Sequence, residues 1–272
     1  MDIKLLIVDI DGTIMDTAGR IADEEKQALA SARARGVYVS LCTGRAAMAC
    51  RHILDQLGLD GYHVFFDGAF VGDPATGEEV YSRPLTRQQV RRMVEFARGK
   101  DISLDFYSET RYFVERESWV TDIRRSYFKI DPVIRPFNGL WDEEKIIKGT
   151  LVVRSPHEKA QAELFEQGFR EDLTLSHTMT PAFPDVDFVN LISRGVSKLT
   201  AVKALARHLG VPLSQTMALG DGVNDIPVLE AVGWGVAMGG AIDRVKSAAD
   251  YVTLSVERCG AARAIEKFVL DA

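Results

Sequence analysis

The chain has 272 residues, with 46% hydrophobic and 26% charged side chains, which is room for one large domain or two modest ones, each with its own core. Its 33 Lys and Arg against 39 Asp and Glu give a net charge of −6, so no basic excess exists to hold a nucleic-acid backbone. Its three cysteines, Cys42, Cys50 and Cys259, have no C-x-x-C spacing and read as thiols of a reducing cytosol rather than disulfides or zinc ligands.

In chain order, the apolar run Leu5–Val8 is broken by Asp9, too early for a signal peptide or a membrane span. With no later stretch of membrane length, the sequence reads as cytoplasmic. Residues 3–8 predict a strand buried on both faces. Residues 22–35 predict a helix, with acids in its first turn, arginines in its last and Gly36 beyond. A strand over 37–42, a helix over 46–57 closed by Gly58, and a strand over 63–66 follow. This β-α-β-α-β alternation predicts an α/β fold with a doubly wound, Rossmann-like parallel sheet.

From residue 83 the texture changes. An amphipathic helix over 87–98 carries an apolar stripe of Val90, Met93, Val94 and Ala97. Strands are expected over 103–107, 112–115 and 150–153, and a helix over 157–169. The two-proline run SHTMTPAFPDVDFVNLI is read as containing the return path. The α/β texture then resumes, with helices over 198–209, 225–232 and 259–270 and strands over 217–219, 236–238 and 251–254. The expected organisation is a core built from 1–82 and 188–272, with an inserted α+β cap over 83–187.

In doubly wound sheets, reactive groups collect at the carboxyl ends of strands. There the sequence places Asp9 and Asp11, then Thr43-Gly44-Arg45, then Asp67-Gly68. On extended chain, residues two apart point to the same side, so Asp9 and Asp11 would repel. A hard divalent cation relieves that repulsion, and Asp221 and Asp225 of GDGVND are candidates for a third acid. A carboxylate is ionised at neutral pH and needs no base to attack phosphorus. Asp9 suits that role, and Asp11 suits protonating the leaving oxygen and then taking a proton from water. Gly12 allows a sharp turn. Thr43 offers a hydroxyl and an N–H to phosphate, Gly44 allows close approach, and Lys198 supplies positive charge.

Alone, D-x-D reads as a solvated loop or a helix cap, and Lys198 as a surface lysine. Four fragments in a consistent order, each at a strand end or a helix start, form a constellation. DIDGT (9–13), Thr43 in CTGR, Lys198 in GVSKLTA and GDGVND (220–225) resemble the four motifs of the haloacid dehalogenase superfamily. The long insertion resembles the α/β cap of its Cof-type sugar-phosphatase branch, and VAMG at 236–239 resembles a segment that follows the fourth motif in that branch.

The resemblance implies a magnesium-dependent phosphatase acting on a small phosphorylated metabolite, with no nucleic-acid or membrane partner. Asp9 would be nucleophile and metal ligand. Asp11 would be the acid–base residue and would ligate magnesium through its backbone carbonyl. Asp221 would complete the metal site. Thr43 and Lys198 would bind the phosphoryl group, Asn224 would contact phosphate or metal-bound water, and Asp225 would support that loop. The family commonly has asparagine where this chain has Asp67, glycine where it has Leu199, and asparagine where it has Gly240.

Asp67 and Arg45, with Tyr107, Arg111 and Tyr112 of the cap, are expected at the substrate mouth. The helix arginines Arg87, Arg91, Arg92 and Arg98 read as a solvated face, and Arg124 and Arg125 as further members of an arginine-rich cap. Two other classes share these residue types. A phospho-acceptor receiver domain is shorter and lacks an insertion, and a phosphosugar mutase returns the phosphoryl group to the sugar. The five histidines form no H-E-x-x-H pattern, and no phosphate-binding G-x-x-x-x-G-K-[ST] loop is present.

Overall fold

The computed structural model describes residues 2–100, 102–180 and 183–271. It divides into two compact units, one of Met1–Arg45, Arg51–Tyr81 and Ser197–Ala272, the other of Ser82–Val196 together with Ala46–Cys50.

The first unit is built on a five-stranded sheet in the order Tyr251–Val252, Trp234–Ala237, Thr216–Gly220, Leu5–Val8, Tyr38–Leu41, with every neighbouring pair parallel. Leu5–Val8 sits inside the sheet, Leu5 opposite Thr216 on one side and Tyr38 on the other, and all four residues are buried. That explains its unbroken apolar run, since a strand covered on both faces has no polar face to show. A single parallel bridge, Cys42 to Val64, leads into three further strands, His63–Phe65, Phe70–Asp73 and Glu78–Ser82. From Leu5–Val8 the chain moves to Tyr38–Leu41 on one side, and later returns to Thr216–Gly220 on the other. The strand order therefore reverses beside the carboxyl end of Leu5–Val8, where open α/β sheets form their crevice.

The second unit holds a six-stranded sheet in the order Leu173–Thr180, Phe183–Ser193, Lys148–Val153, Ser103–Tyr107, Tyr112–Val114, Pro132–Ile134. Its pairs are antiparallel except the last. Alternation along the strands gives two faces. Leu104, Phe106, Leu151 and Leu191 cluster with Val90, Met93 and Val94 of helix Arg87–Arg98 and with Phe165 and Phe169 of helix Pro156–Phe169. Val152 and Phe188 cluster with Val120 and Ile123 of helix Trp119–Ser126.

The run expected to hold the return path, residues 176–192, spans parts of two antiparallel strands, Leu173–Thr180 and Phe183–Ser193, the latter paired with Lys148–Val153 from Asp187 to Leu191, while its Pro181 and Ala182 lie outside the described residues. Residues 188–193 thus lie in the second unit's sheet, and the chain re-enters the first unit at Ser197. Among the described residues no helix is long and apolar enough to cross a membrane.

Candidate active site

Asp9 follows the last residue of strand Leu5–Val8, and its N–H still donates to Leu219 O at 3.0 Å, so the ladder fixes its backbone. Its side chain is buried. The next residues wind tightly, with the N–H groups of Thr13, Ile14 and Met15 all aimed at Ile10 O. Gly12 has φ +79°, and a Cβ there would lie 2.2 Å from Asp221 Oδ2. Glycine is therefore required on two counts, backbone conformation and contact with the Asp221 carboxylate. Thr13 Oγ1 donates to Asp221 Oδ1 at 3.2 Å, a contact that nothing in the D-x-D-G-T spacing announces.

Asp221 follows strand Thr216–Gly220, the neighbour of Leu5–Val8, so the two strand ends bring Asp9 and Asp221 together. Asp9, Asp221 and Asp225 each offer an oxygen within 4.8 Å of the others. Lys198 opens helix Lys198–His208, capped by Ser197, and its side chain is only 1% exposed. Nζ donates to Asp9 Oδ1 at 2.8 Å and to Asp225 Oδ1 at 2.6 Å. A buried cation at the positive end of a helix is unfavourable by itself, and the two carboxylates offset it. Asp225 thus does more than support its loop, although it does accept Gly222 N–H at 2.9 Å.

Three clustered carboxylates face one ammonium. Burial, with Asp225 and Asp221 adding to it, pushes the Asp9 carboxyl well above the usual range despite Lys198. Burial and then Asp225 raise Asp221 to about 6. Burial alone would lower Lys198, but Asp225 and Asp9 hold it well above the usual lysine value. The site is short of positive charge for the number of carboxylates it holds.

Thr43 and Gly44 follow strand Tyr38–Leu41 through Cys42. The Thr43 N–H, expected to be offered to phosphate, is committed to Val64 O at 3.0 Å, because the chain here still bridges to the next strand. Its hydroxyl oxygen accepts Arg45 N–H at 3.1 Å, so the hydroxyl hydrogen can point elsewhere. Gly44 packs against Asp67, whose Oδ1 would lie 2.8 Å from a Cβ at that position. Phe66 and Asp67 both have positive φ, +53° and +56°, a rare pair for non-glycine residues. The turn is held by Phe66 N–H to Arg45 O and by Asp67 N–H to Thr43 O. Asn224 Nδ2 donates to Asp67 Oδ1 at 3.0 Å, joining the GDGVND loop to this turn.

Asp11 does not join the acid cluster. Both its oxygens accept from Arg45, Nε to Oδ2 at 2.9 Å and Nη2 to Oδ1 at 2.6 Å. In the second unit, Tyr107 and Tyr112 are buried and stacked, with ring centroids 5.0 Å apart. Arg124, read as one more cap arginine, is buried, bonded to Asp105 Oδ2 at 3.2 Å and ringed by Tyr107, Tyr112, Phe128 and Phe188. Arg111 is ion-paired with Glu144 at 3.0 Å.

Residues 6–265 match the family model of the haloacid dehalogenase-like hydrolases. The chain is 30% identical to the Bacillus subtilis 5-amino-6-(5-phospho-D-ribitylamino)uracil phosphatase YcsE, over 99% of this chain and 97% of that protein. It is 29% identical to the Bacillus subtilis phosphatase YwpJ, over 95% and 97% of the two chains. Among solved structures it is similar to the subclass IIB sugar phosphatase BT4131, with TM-score 0.77 and 27% identity over 97% and 98% of the two chains. An α/β sheet with acids at its switch point, a family match over nearly the whole length and full-length phosphatase relatives together place this chain in the haloacid dehalogenase-like hydrolase family, as a phosphatase.

Proposed function

We propose that the chain hydrolyses a phosphomonoester of a small metabolite, such as a sugar phosphate, through an aspartyl phosphate on Asp9. The observation that carries this reading is the buried cluster in which Lys198 bridges Asp9 and Asp225, with Asp221 alongside. A buried carboxylate held at 2.8 Å by a buried ammonium is oriented for attack. An Asp9 oxygen forms a bond to phosphorus as the ester P–O bond breaks, and Asp11 gives a proton to the departing oxygen. Water then attacks the phosphorus of the acyl phosphate, Asp11 takes its proton, and inorganic phosphate leaves with Asp9 restored. The Thr43 hydroxyl and the Lys198 ammonium hold the phosphoryl oxygens.

The donor set fits Mg2+, being all oxygen and short of positive charge, with the carboxyls of Asp9 and Asp221 both raised. Asp9, Asp221 and the Asp11 backbone carbonyl would hold it. Bound there, the cation supplies charge neutralisation for the carboxylates and the phosphoryl oxygens. The second unit, as the inserted module, is the part that selects the rest of the substrate.

The test is Asp9→Asn assayed with p-nitrophenyl phosphate and Mg2+. Turnover should vanish while the thermal melt persists, and retained turnover would remove Asp9 as nucleophile. Undiminished rates in a chelator would remove the metal. Phosphate release measured against isomerised sugar phosphate separates hydrolysis from a mutase reaction.

A further inference from the structure

Arg45 ends the turn that carries Thr43 and Gly44, and its backbone is tied on both sides. Its N–H donates to Thr43 Oγ1 at 3.1 Å and its carbonyl accepts Phe66 N–H at 3.0 Å. Its side chain is 8% exposed, while that of Asp11 is 53% exposed. The guanidinium also reaches Met15 Sδ at 3.4 Å, at the far end of the Asp11 turn. Arg45 is thus the anchored partner and Asp11 the solvated one.

A half-exposed aspartate would otherwise spread over several rotamers. A two-point fork fixes both the direction and the plane of its carboxylate. At this exposure the ion pair contributes little to stability, so its consequence lies in orientation. The direction also matters. Asp9, Asp221 and Asp225 gather oxygens within 4.8 Å of one another, and Asp11, only two residues from Asp9, is turned out of that group toward Arg45. A fourth carboxylate there would deepen the excess of negative charge and compete for any bound cation.

We propose that Arg45 is a positioning residue for Asp11, fixing its carboxylate apart from the metal-type acid cluster and aimed for proton transfer to the leaving oxygen. This rests on the acid–base reading of Asp11 given above. Arg45 acts through Asp11 and needs no contact with the phosphoryl group.

The experiment compares kcat/KM for phenyl phosphate, whose leaving oxygen needs a proton, with that for 2,4-dinitrophenyl phosphate, whose leaving oxygen does not. The full chain with Mg2+ is used. Arg45→Met should lower kcat/KM for phenyl phosphate by about 10- to 100-fold, the scale of a misaimed catalytic group, and for the dinitrophenyl ester by less than about threefold. Arg45→Lys keeps the charge without the fork and should recover little of the loss. In an Asp11→Asn background, Arg45→Met should change kcat/KM by less than about twofold, because the group it directs is gone.

Equal losses for the two esters, or losses that multiply in the double variant, would overturn the proposal. If Asp11→Asn leaves phenyl phosphate hydrolysis unchanged, the acid–base reading fails and the role of Arg45 falls with it. An intact Asp11 effect without an Arg45 effect removes Arg45 alone. Arg45→Gln replaces the Met variant if that one does not fold, and failure of both to fold would make Arg45 structural and refute the positioning role.

Discussion

Replacing Lys198 with methionine strikes the centre of the site, and its cost follows from geometry. Nζ lies 2.8 Å from Asp9 Oδ1 and 2.6 Å from Asp225 Oδ1, with the three side chains 1%, 11% and 7% exposed. Removing the ammonium leaves two buried carboxylates without their cation, which costs about 3–5 kcal/mol. At about 2–4 °C per kcal/mol for a unit of this size, the melting temperature in a chelator should fall by roughly 6–20 °C. The assay is calorimetry near neutral pH. Three responses should accompany the fall. Adding Asp225→Asn should recover part of it, since one uncompensated charge is gone. Mg2+ should stabilise the methionine variant more than the parent. Lowering the pH should shrink the deficit, because burial already holds the Asp9 carboxyl well above its usual range and protonation removes the charge. A melting temperature within about 2 °C of the parent in chelator would refute the reasoning, since uncompensated buried carboxylates cannot be so cheap.

Glu25 is fully buried, accepts Ala261 N–H at 3.3 Å, and is pushed by burial to about 7 from 4.5. Because its folded value lies above the unfolded one, its stabilisation is complete below pH 4.5 and is lost as the pH rises through 7. Glu25→Gln should therefore flatten the fall in stability over that window and exceed the parent by up to about 3 kcal/mol on its alkaline side. Urea unfolding across the window checks this, and a difference independent of pH would count against it. Gly12→Ala places a Cβ 2.2 Å from Asp221 Oδ2 at φ +79° and should cost activity by about 100-fold or more, with weaker Mg2+ stabilisation in a thermal shift. A parental response to Mg2+ would show that the turn can yield. Arg124→Met, by stranding the buried Asp105, should cost the second unit about 3–5 kcal/mol, and Asp105→Leu added to it should recover most of that loss in denaturant unfolding. Losses that simply add would deny that the two residues act as a pair.

The first unit was legible because its signals are local. An apolar run covered on both faces, followed by a helix ending before Gly36 or Gly58, needs no distant partner to be recognised. The second unit hid its elements where partners lie far away. Pro132–Ile134 is three residues long, with Val133 and Ile134 exposed, and Leu140–Glu143 is a single turn, so neither has a period to detect. Phe183–Ser193 was obscured by Pro184 near its start, since proline argues against a strand in the interior of a sheet.

Asp9 and Asp221 were readable as strand-end acids. The burial of Lys198 was not, because a lysine at a helix start resembles any surface lysine until its carboxylates arrive from residues 9 and 225. Arg124 was missed for the same reason: only the sheet brings Asp105 and four aromatic rings around it. The Asp11–Arg45 fork spans two separate turns, and no spacing rule predicts it.

The pairing of Leu5–Val8 with Thr216–Gly220 has a consequence for the order in which the molecule is made. A chain emerging from the ribosome can pair Leu5–Val8 with Tyr38–Leu41 early, but the strand's other edge stays open until residue 220 has been synthesised. The whole of Ser82–Val196 is produced in that interval, and as one continuous stretch it can collapse onto its own sheet while the first unit waits. Asp9 is thus synthesised long before the partners it must meet. Lys198 and Asp225 arrive only after the inserted stretch is complete. A chain cut short anywhere before residue 221 carries Asp9 without the cluster that holds it.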